Sequence, residues 1–414
     1  MSSALASSTS SYQFSDLSFE LINIILASIE LHADLASCCR VNKYFLTRCR
    51  PALYHHLPVS IGGSTPASNS HPERYLLKES SELLLRTLEN NKELQQYPRK
   101  LTLDTRYFAE QKRMAEGDPG QPVSEKGGGT GPRRHYQFPG SDFDDLSQPF
   151  ERCLRLIPQM DSVEIDSTLW QWECITDVVF KHVDRWKEIE LGGELLLWAG
   201  ENENWDFRKF SRLEKLRCRK IGDTDLPGQH LPQSLRTLDT YDSSVPVGDP
   251  SSEYQLRSVR AALTGETLDS LVSYPKVRYL HLVQNWYDCE PPLLPSTLVK
   301  LQTLPVLLFL SICLEYESSS IYNAAAAILQ HSPPELQCLE FPCLIPFDEL
   351  NSFLSTRTTP SPPLLRLGKT QACEPLNAER LDAVKAVCLQ KEIHIEYITS
   401  FAYWGEPHSS TQPN

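Results

Sequence analysis

Apolar residues along this chain follow two different rhythms. Between Asp16 and Leu57 the rhythm is helical. Leu21, Ile24, Ile25 and Ile29, with Ser28 as a weak member, form the i, i+3, i+4 stripe of an amphipathic helix. Ser15 or Asp16 is placed to cap its start by accepting from unsatisfied backbone N–H groups. Asp34 is placed to cap a second helix with Leu35, Cys38 and Cys39 inward. Asn42 is placed to cap a third with Phe45, Leu46 and Cys49 inward. Pro51 is expected to end that third helix, because proline has no N–H to donate.

Beyond residue 79 the rhythm changes. Apolar residues recur at i, i+3 and i+5, each time just after a helix-like stretch. The best copies are Met160/Val163/Ile165, Trp186/Ile189/Leu191, Leu213/Leu216/Cys218, Val277/Leu280/Leu282, Leu307/Leu310/Ile312 and Leu336/Leu339/Phe341. Weaker copies are Leu235/Leu238/Thr240 and Leu256/Val259/Ala261, with end copies at Leu101/Leu103 and Ile393/Ile395. From Cys218 the last positions step through 240, 261 and 282, intervals of 22, 21 and 21; elsewhere the steps are 26 to 30.

The i+3 and i+5 side chains share one face of a short strand, and the i side chain reaches the same core from the preceding turn. Helix candidates between the strands lie at 176–185, 266–273, 321–330 and 376–390. One such unit cannot bury its apolar face alone, so neighbours must stack, strand beside parallel strand.

The joints between these regions are polar. Residues 61–78 read as a linker, and residues 1–11 and 401–414 as a disordered N-terminus and a tail. Residues 109–140 hold too much Gly and Pro for a core and read as a disordered insertion. Their run Gly127-Gly128-Gly129-Thr130-Gly131 is not a phosphate loop, since no Gly-Lys-Ser/Thr follows.

Composition narrows the function. The 414 residues are 40% hydrophobic and 22% charged, enough for a sizeable core and more than one domain. A net charge of −13 argues against a general nucleic-acid binder. Twelve cysteines without a repeated spacing read as reduced intracellular thiols. The N-terminus lacks the basic and apolar parts of a secretory leader. The most apolar stretch, residues 304–314, is far short of the ~20 residues a membrane helix needs. A soluble chain, cytoplasmic or nuclear, with no membrane partner is expected.

Catalytic and metal motifs are missing. Asp142, Asp144 and Asp145 are adjacent carboxylates on a polar stretch, which reads as a solvated face, and His55-His56 falls at the end of the helical region. No His-x-x-x-His, Cys-x-x-Cys or Gly-x-Ser-x-Gly element occurs. The expectation is a non-catalytic protein with no cofactor and no metal.

The helical region carries more apolar residues than three short helices hide, which points to a permanent partner surface. Its blocks are Leu17-Ser18-Phe19-Glu20-Leu21, Ile24-Ile25-Leu26, Asp34-Leu35, Val41-Asn42-Lys43-Tyr44-Phe45 and Pro51-Ala52-Leu53-Tyr54. In order and spacing, residues 12–60 resemble the F-box family, with Ser18 standing where that family has proline. The resemblance implies three helices that dock on a Skp-type adaptor and, through it, on a cullin. Leu17, Ile25, Val41 and Phe45 would line that face.

Residues 79–400 resemble leucine-rich repeats, whose units run about 20–29 residues. The family's Asn, three residues after the last apolar position, occurs once, as Asn285. The implied architecture is α/β: a three-helix F-box followed by an irregular solenoid with a parallel sheet. Positions i+2, i+4 and i+6 would face away from the core. Early strands offer Glu164, Asp166, Glu188 and Glu190, and later ones Thr237, Asp239, His281 and Phe309. Between them Lys215, Arg217, Arg219 and Arg260, helped by Tyr241 and Tyr279, form a basic patch. It is suited to a protein client that is acidic or phosphorylated. The resulting expectation is a substrate adaptor of a Skp–cullin–F-box ubiquitin ligase. The alternative is an F-box scaffold that binds the Skp-type adaptor outside any ligase.

Overall fold

The two rhythms correspond to two kinds of structure. The computed structural model describes residues 21–22, 29, 32–62, 76–77, 79–104, 147–166, 172–195, 207–221, 231–240, 244–248, 253–284, 298–314, 319–357 and 362–399. The stretches 1–11, 109–140 and 401–414 lie outside the described residues, as do Leu17, Ile25, Tyr241 and Asn285.

Period-2 segments become the strands β1 (His56–Gly62), β2 (Leu76–Leu77), β3 (Lys100–Asp104), β4 (Ser162–Asp166), β5 (Glu188–Leu195), β6 (Lys215–Ile221) and β7 (Thr237–Thr240). They continue as β8 (Ser258–Ala262), β9 (Tyr279–Val283), β10 (Phe309–Cys313), β11 (Cys338–Phe341), β12 (Leu364–Gly368) and β13 (His394–Ile398). All belong to one sheet, in which β3 to β13 lie side by side in chain order and β1 pairs with β3. Twelve strands are parallel, and β2 closes one edge as an antiparallel partner of β1. With the α-helices that connect many of these strands, the class is α/β.

The register turns the spacing into a core. Leu57, Leu101, Val163, Ile189, Leu216, Leu238, Val259, Leu280, Leu310, Leu339, Leu365 and Ile395 stand side by side in one row across the sheet. All but Ile395 are buried, each contributing on the order of 1.5–3 kcal/mol of burial. A parallel inner row holds Leu103, Ile165, Leu191, Cys218, Thr240, Ala261, Leu282 and Ile312. The i positions Met160, Trp186, Leu213, Leu235, Leu256, Val277, Leu307 and Leu336 are buried behind them.

Two further strands share this pattern. Leu57/Val59 places β1 in the sheet before residue 60, and Leu365/Leu367 carries β12. The four helix candidates are helices at Trp172–Lys181, Gly265–Leu271, Ser319–Gln330 and Ala378–Gln390. Glu79–Asn90, Ser147–Leu156 and Phe347–Thr356 are further helices between strands. Arg185 stabilises the end of one of them: its guanidinium donates to the carbonyls of Leu154, Ile157 and Met160.

Where the strands begin, the backbone repeats one hydrogen-bond arrangement. The carbonyl just before a strand accepts two successive N–H groups from the next unit. Arg99 takes Asp161 and Ser162, Lys187 takes Glu214 and Lys215, and Arg257 takes Arg278 and Tyr279. At one strand end a threonine caps the helix that follows, Gly265–Leu271. Thr264, three residues beyond Ala261, accepts from Thr267 N at 3.0 Å and bonds Ser244 Oγ at 2.9 Å.

In the helical region, Asn42 caps helix Lys43–His55 as expected, its Oδ1 accepting from Phe45 N at 3.0 Å. Asp34 instead lies in the first turn of helix His32–Cys39. There a carboxylate still complements the positive end of the helix dipole. Pro51 does not end its helix, which runs on to His55 and directly into β1. Tyr54, on that extra turn, packs against the main core and offsets the hydrogen bond lost at proline.

Candidate functional site

The helical region builds its own small core. Ile22 and Cys49 are buried there, with Ile29, Cys38, Cys39 and Phe45 packed around them. Cys49's thiol is pushed up to about 11, by burial first and then by Cys39 and Cys38. Among the described residues of this region, large apolar side chains lie outside that core: Val41 is 65% exposed, Leu21 50% and Tyr44 45%. Of the four residues expected to dock an adaptor, Val41 projects into solvent and Phe45 is half-buried in this core. Leu17 and Ile25 lie outside the described residues.

The sheet's other face carries polar side chains in register. Its central row reads Thr102, Glu164, Glu190, Arg217, Asp239, Arg260, His281, Ser311, Glu340, Arg366 and Glu396. Neighbouring strands lie about 4.8 Å apart, so opposite charges on adjacent strands meet. Arg217 donates from Nη1 to Glu190 at 2.8 Å and from Nε to Asp239 at 3.0 Å, while Arg260 approaches the same Asp239 oxygen at 4.0 Å. Lys100 pairs with Glu164 at 2.7 Å and Arg366 with Glu396 at 2.9 Å. Ser311 Oγ donates to the buried Glu340 at 2.8 Å.

These contacts set the charge states. Burial opposes the Arg217 cation, yet Glu190 and Asp239 outweigh it and hold its pKa above the ordinary value. Asp239 goes the other way: burial raises its carboxyl more than Arg260 and Arg217 lower it. Its Oδ1 makes no hydrogen bond among the described residues. His281, beside Arg260 in the row, is lowered to about 4 by burial and by that cation, and it is therefore neutral at pH 7.

The expected basic patch is thus a string of alternating charges. Arg217 and Arg260 face one carboxylate from the strands on either side of it. Lys215 and Tyr279 lie in the adjacent row, three strands apart and half-buried, with Thr237 and Ser258 between them. Tyr279 packs near Phe309, ring centroids 6.2 Å apart, and His281 lies 4.9 Å from the same ring. Arg219 is carried by β6, and Tyr241 lies outside the described residues.

Sequence reading did not single out Glu340, Arg366 and Glu396. The signal available was their place at the i+4 offset in later units. Among the described residues no group of three or more His, Cys, Asp or Glu could hold a metal ion, and no helix is long and apolar enough to cross a membrane. No protein-family model and no curated protein matches the sequence.

Proposed function

We propose that this chain is a substrate-recognition adaptor of a Skp–cullin–F-box type ubiquitin ligase. In this reading the helical region is an F-box that docks on the Skp-type adaptor. The strand array is an irregular leucine-rich-repeat solenoid whose outward face holds a protein client. The chain contributes proximity: it raises the effective concentration of client lysines near a charged conjugating enzyme.

The observation that carries the reading is the exposure of Val41, Leu21 and Tyr44 on a small helical unit that has its own core. Large apolar side chains left outside in this way gain most from a fixed partner. On the client side, Lys215 and Tyr279 are the more available contacts. Arg217 and Arg260 hold Asp239, and would shape the surface more than grip a phosphate.

Co-purification from eukaryotic cells tests this directly. Recovery of a Skp-type adaptor together with a cullin is the expected result; the adaptor alone turns the reading into a scaffold, and neither protein overturns it. The double change Val41→Asp, Tyr44→Asp should weaken adaptor binding at least ~700-fold, since two interface anchors worth ~2 kcal/mol or more each sum to ~4 kcal/mol. An unchanged circular dichroism spectrum would show that the fold survives.

A further inference from the structure

Two thiols meet where the ends of β10 and β11 lie side by side. Cys313 closes β10, Cys343 follows β11 by two residues, and their sulfurs are 3.2 Å apart. The backbone fixes this meeting. Leu344 N donates to Leu314 O at 3.0 Å, and Gln284 N donates to Cys313 O at 2.9 Å. On the far side, Gly368 presses against the Pro342-Cys343 peptide so closely that a Cβ there would lie 2.2 Å from Pro342 O. Both thiols are half-buried, whereas Cys153, Cys218, Cys338 and Cys388 are buried. Burial pushes Cys153 and Cys338 up to about 12, which keeps them protonated and poor nucleophiles.

We propose that Cys313 and Cys343 are a peroxide-sensitive pair that closes into a reversible disulfide between the end of β10 and the turn after β11. The two sulfurs already lie 3.2 Å apart, so a small side-chain rotation brings them to the S–S length of about 2 Å. One thiolate attacks hydrogen peroxide, breaking the O–O bond to give a sulfenic acid; the displaced hydroxide is protonated to water. The second sulfur then attacks the sulfenic sulfur, the S–O bond breaks, and a second water leaves. Each sulfur is oxidised by one electron and one peroxide is reduced. A dithiol reductant reverses the bond by thiol exchange. The crosslink would tie the end of β10 to the turn that follows β11. That stiffens this end of the sheet and leaves the helical region untouched.

The test uses the full chain, treated with a small excess of hydrogen peroxide, alkylated, digested and mapped by mass spectrometry. The expected product is a peptide pair joined through Cys313 and Cys343, about 2 Da lighter than the two thiols and lost on treatment with dithiothreitol. Oxidation should also raise the melting temperature by about 3 °C, since the loop closed is some thirty residues long. In Cys313→Ser the joined pair and the thermal shift should both vanish. Finding both thiols still fully alkylated in the treated protein overturns the proposal. So does a crosslink formed instead by Cys38, Cys39 or Cys49. The wild-type map decides this even if the serine variant folds poorly.

Discussion

The helical region and the strand array hide their apolar side chains in opposite ways. In the array each strand adds one residue to each of two inner rows, and the next strand covers it, so burial is nearly total from Leu57 to Leu367. In the helical region Ile29, Cys38, Cys39 and Phe45 pack around Ile22 and Cys49, while Val41, Tyr44 and Leu21 are exposed. Stacking solves the burial problem in the array, whereas the helical region leaves large apolar side chains exposed. The same amino acid therefore means different things in the two places. Valine in an inner row is structure; Val41 is surface.

The sharpest break of that contrast is an acidic residue in the inner row. Val259→Asp would place a carboxylate between Leu238 and Leu280, in a row of fully buried apolar side chains. The expected cost exceeds about 4 kcal/mol, enough to abolish the cooperative urea transition of the array. A variant that kept the wild-type midpoint would show that the rows are not a core.

Next in size is the central knot of the outward face. Asp239→Ala leaves Arg217 and Arg260 facing each other across a vacated strand, and should cost about 2–3 kcal/mol in urea denaturation. Asp239→Asn should cost less. It keeps the shape and an acceptor, and burial already works against the charge of this carboxyl. If the two changes cost the same, charge rather than packing holds the knot.

A smaller effect belongs to His281. Its folded pKa, about 4, lies below the ordinary 6.5. The unfolded chain therefore takes up a proton first as pH falls. The stability it confers is complete above pH 6.5 and declines between 6.5 and 4, by at most about 1.4 kcal/mol per pH unit. His281→Asn should flatten the denaturation midpoint over that window. An unchanged slope would assign the pH dependence to other groups.

Much of this was legible in the sequence because burial repeats. Every i, i+3, i+5 copy from Met160 to Phe341 is a strand facing one core, and even the weak copies with Thr240 and Ala261 pair in register. The two units passed over, at Leu57/Val59 and Leu365/Leu367, follow a helix or a proline-rich loop that hides the rhythm. The outward face was legible residue by residue but not as a whole. Arg217 reads as a basic contact until the register puts Glu190 on one side and Asp239 on the other. Spacing along one strand fixes which way a side chain points; only the alignment of several strands tells what it meets. Pro51 failed as a stop signal for a related reason, since tertiary packing at Tyr54 outweighs a local preference.

The smallest expected effect is also the most informative about the contrast. Val41→Asp makes the same chemical change as Val259→Asp, but at a side chain 65% exposed and outside both cores. Its cost should stay within about 0.5 kcal/mol, as for surface substitutions generally. Slight stabilisation is reasonable too, because an apolar group leaves water and Val41 directly precedes a helix capped by Asn42. Urea denaturation of the purified variant measures this. A loss near that of Val259→Asp would mean that Val41 is packed in the free chain, and the surface reading of the helical region would fall with it. A midpoint that does not move would show that this valine adds nothing to the stability of the free chain, as the surface reading requires.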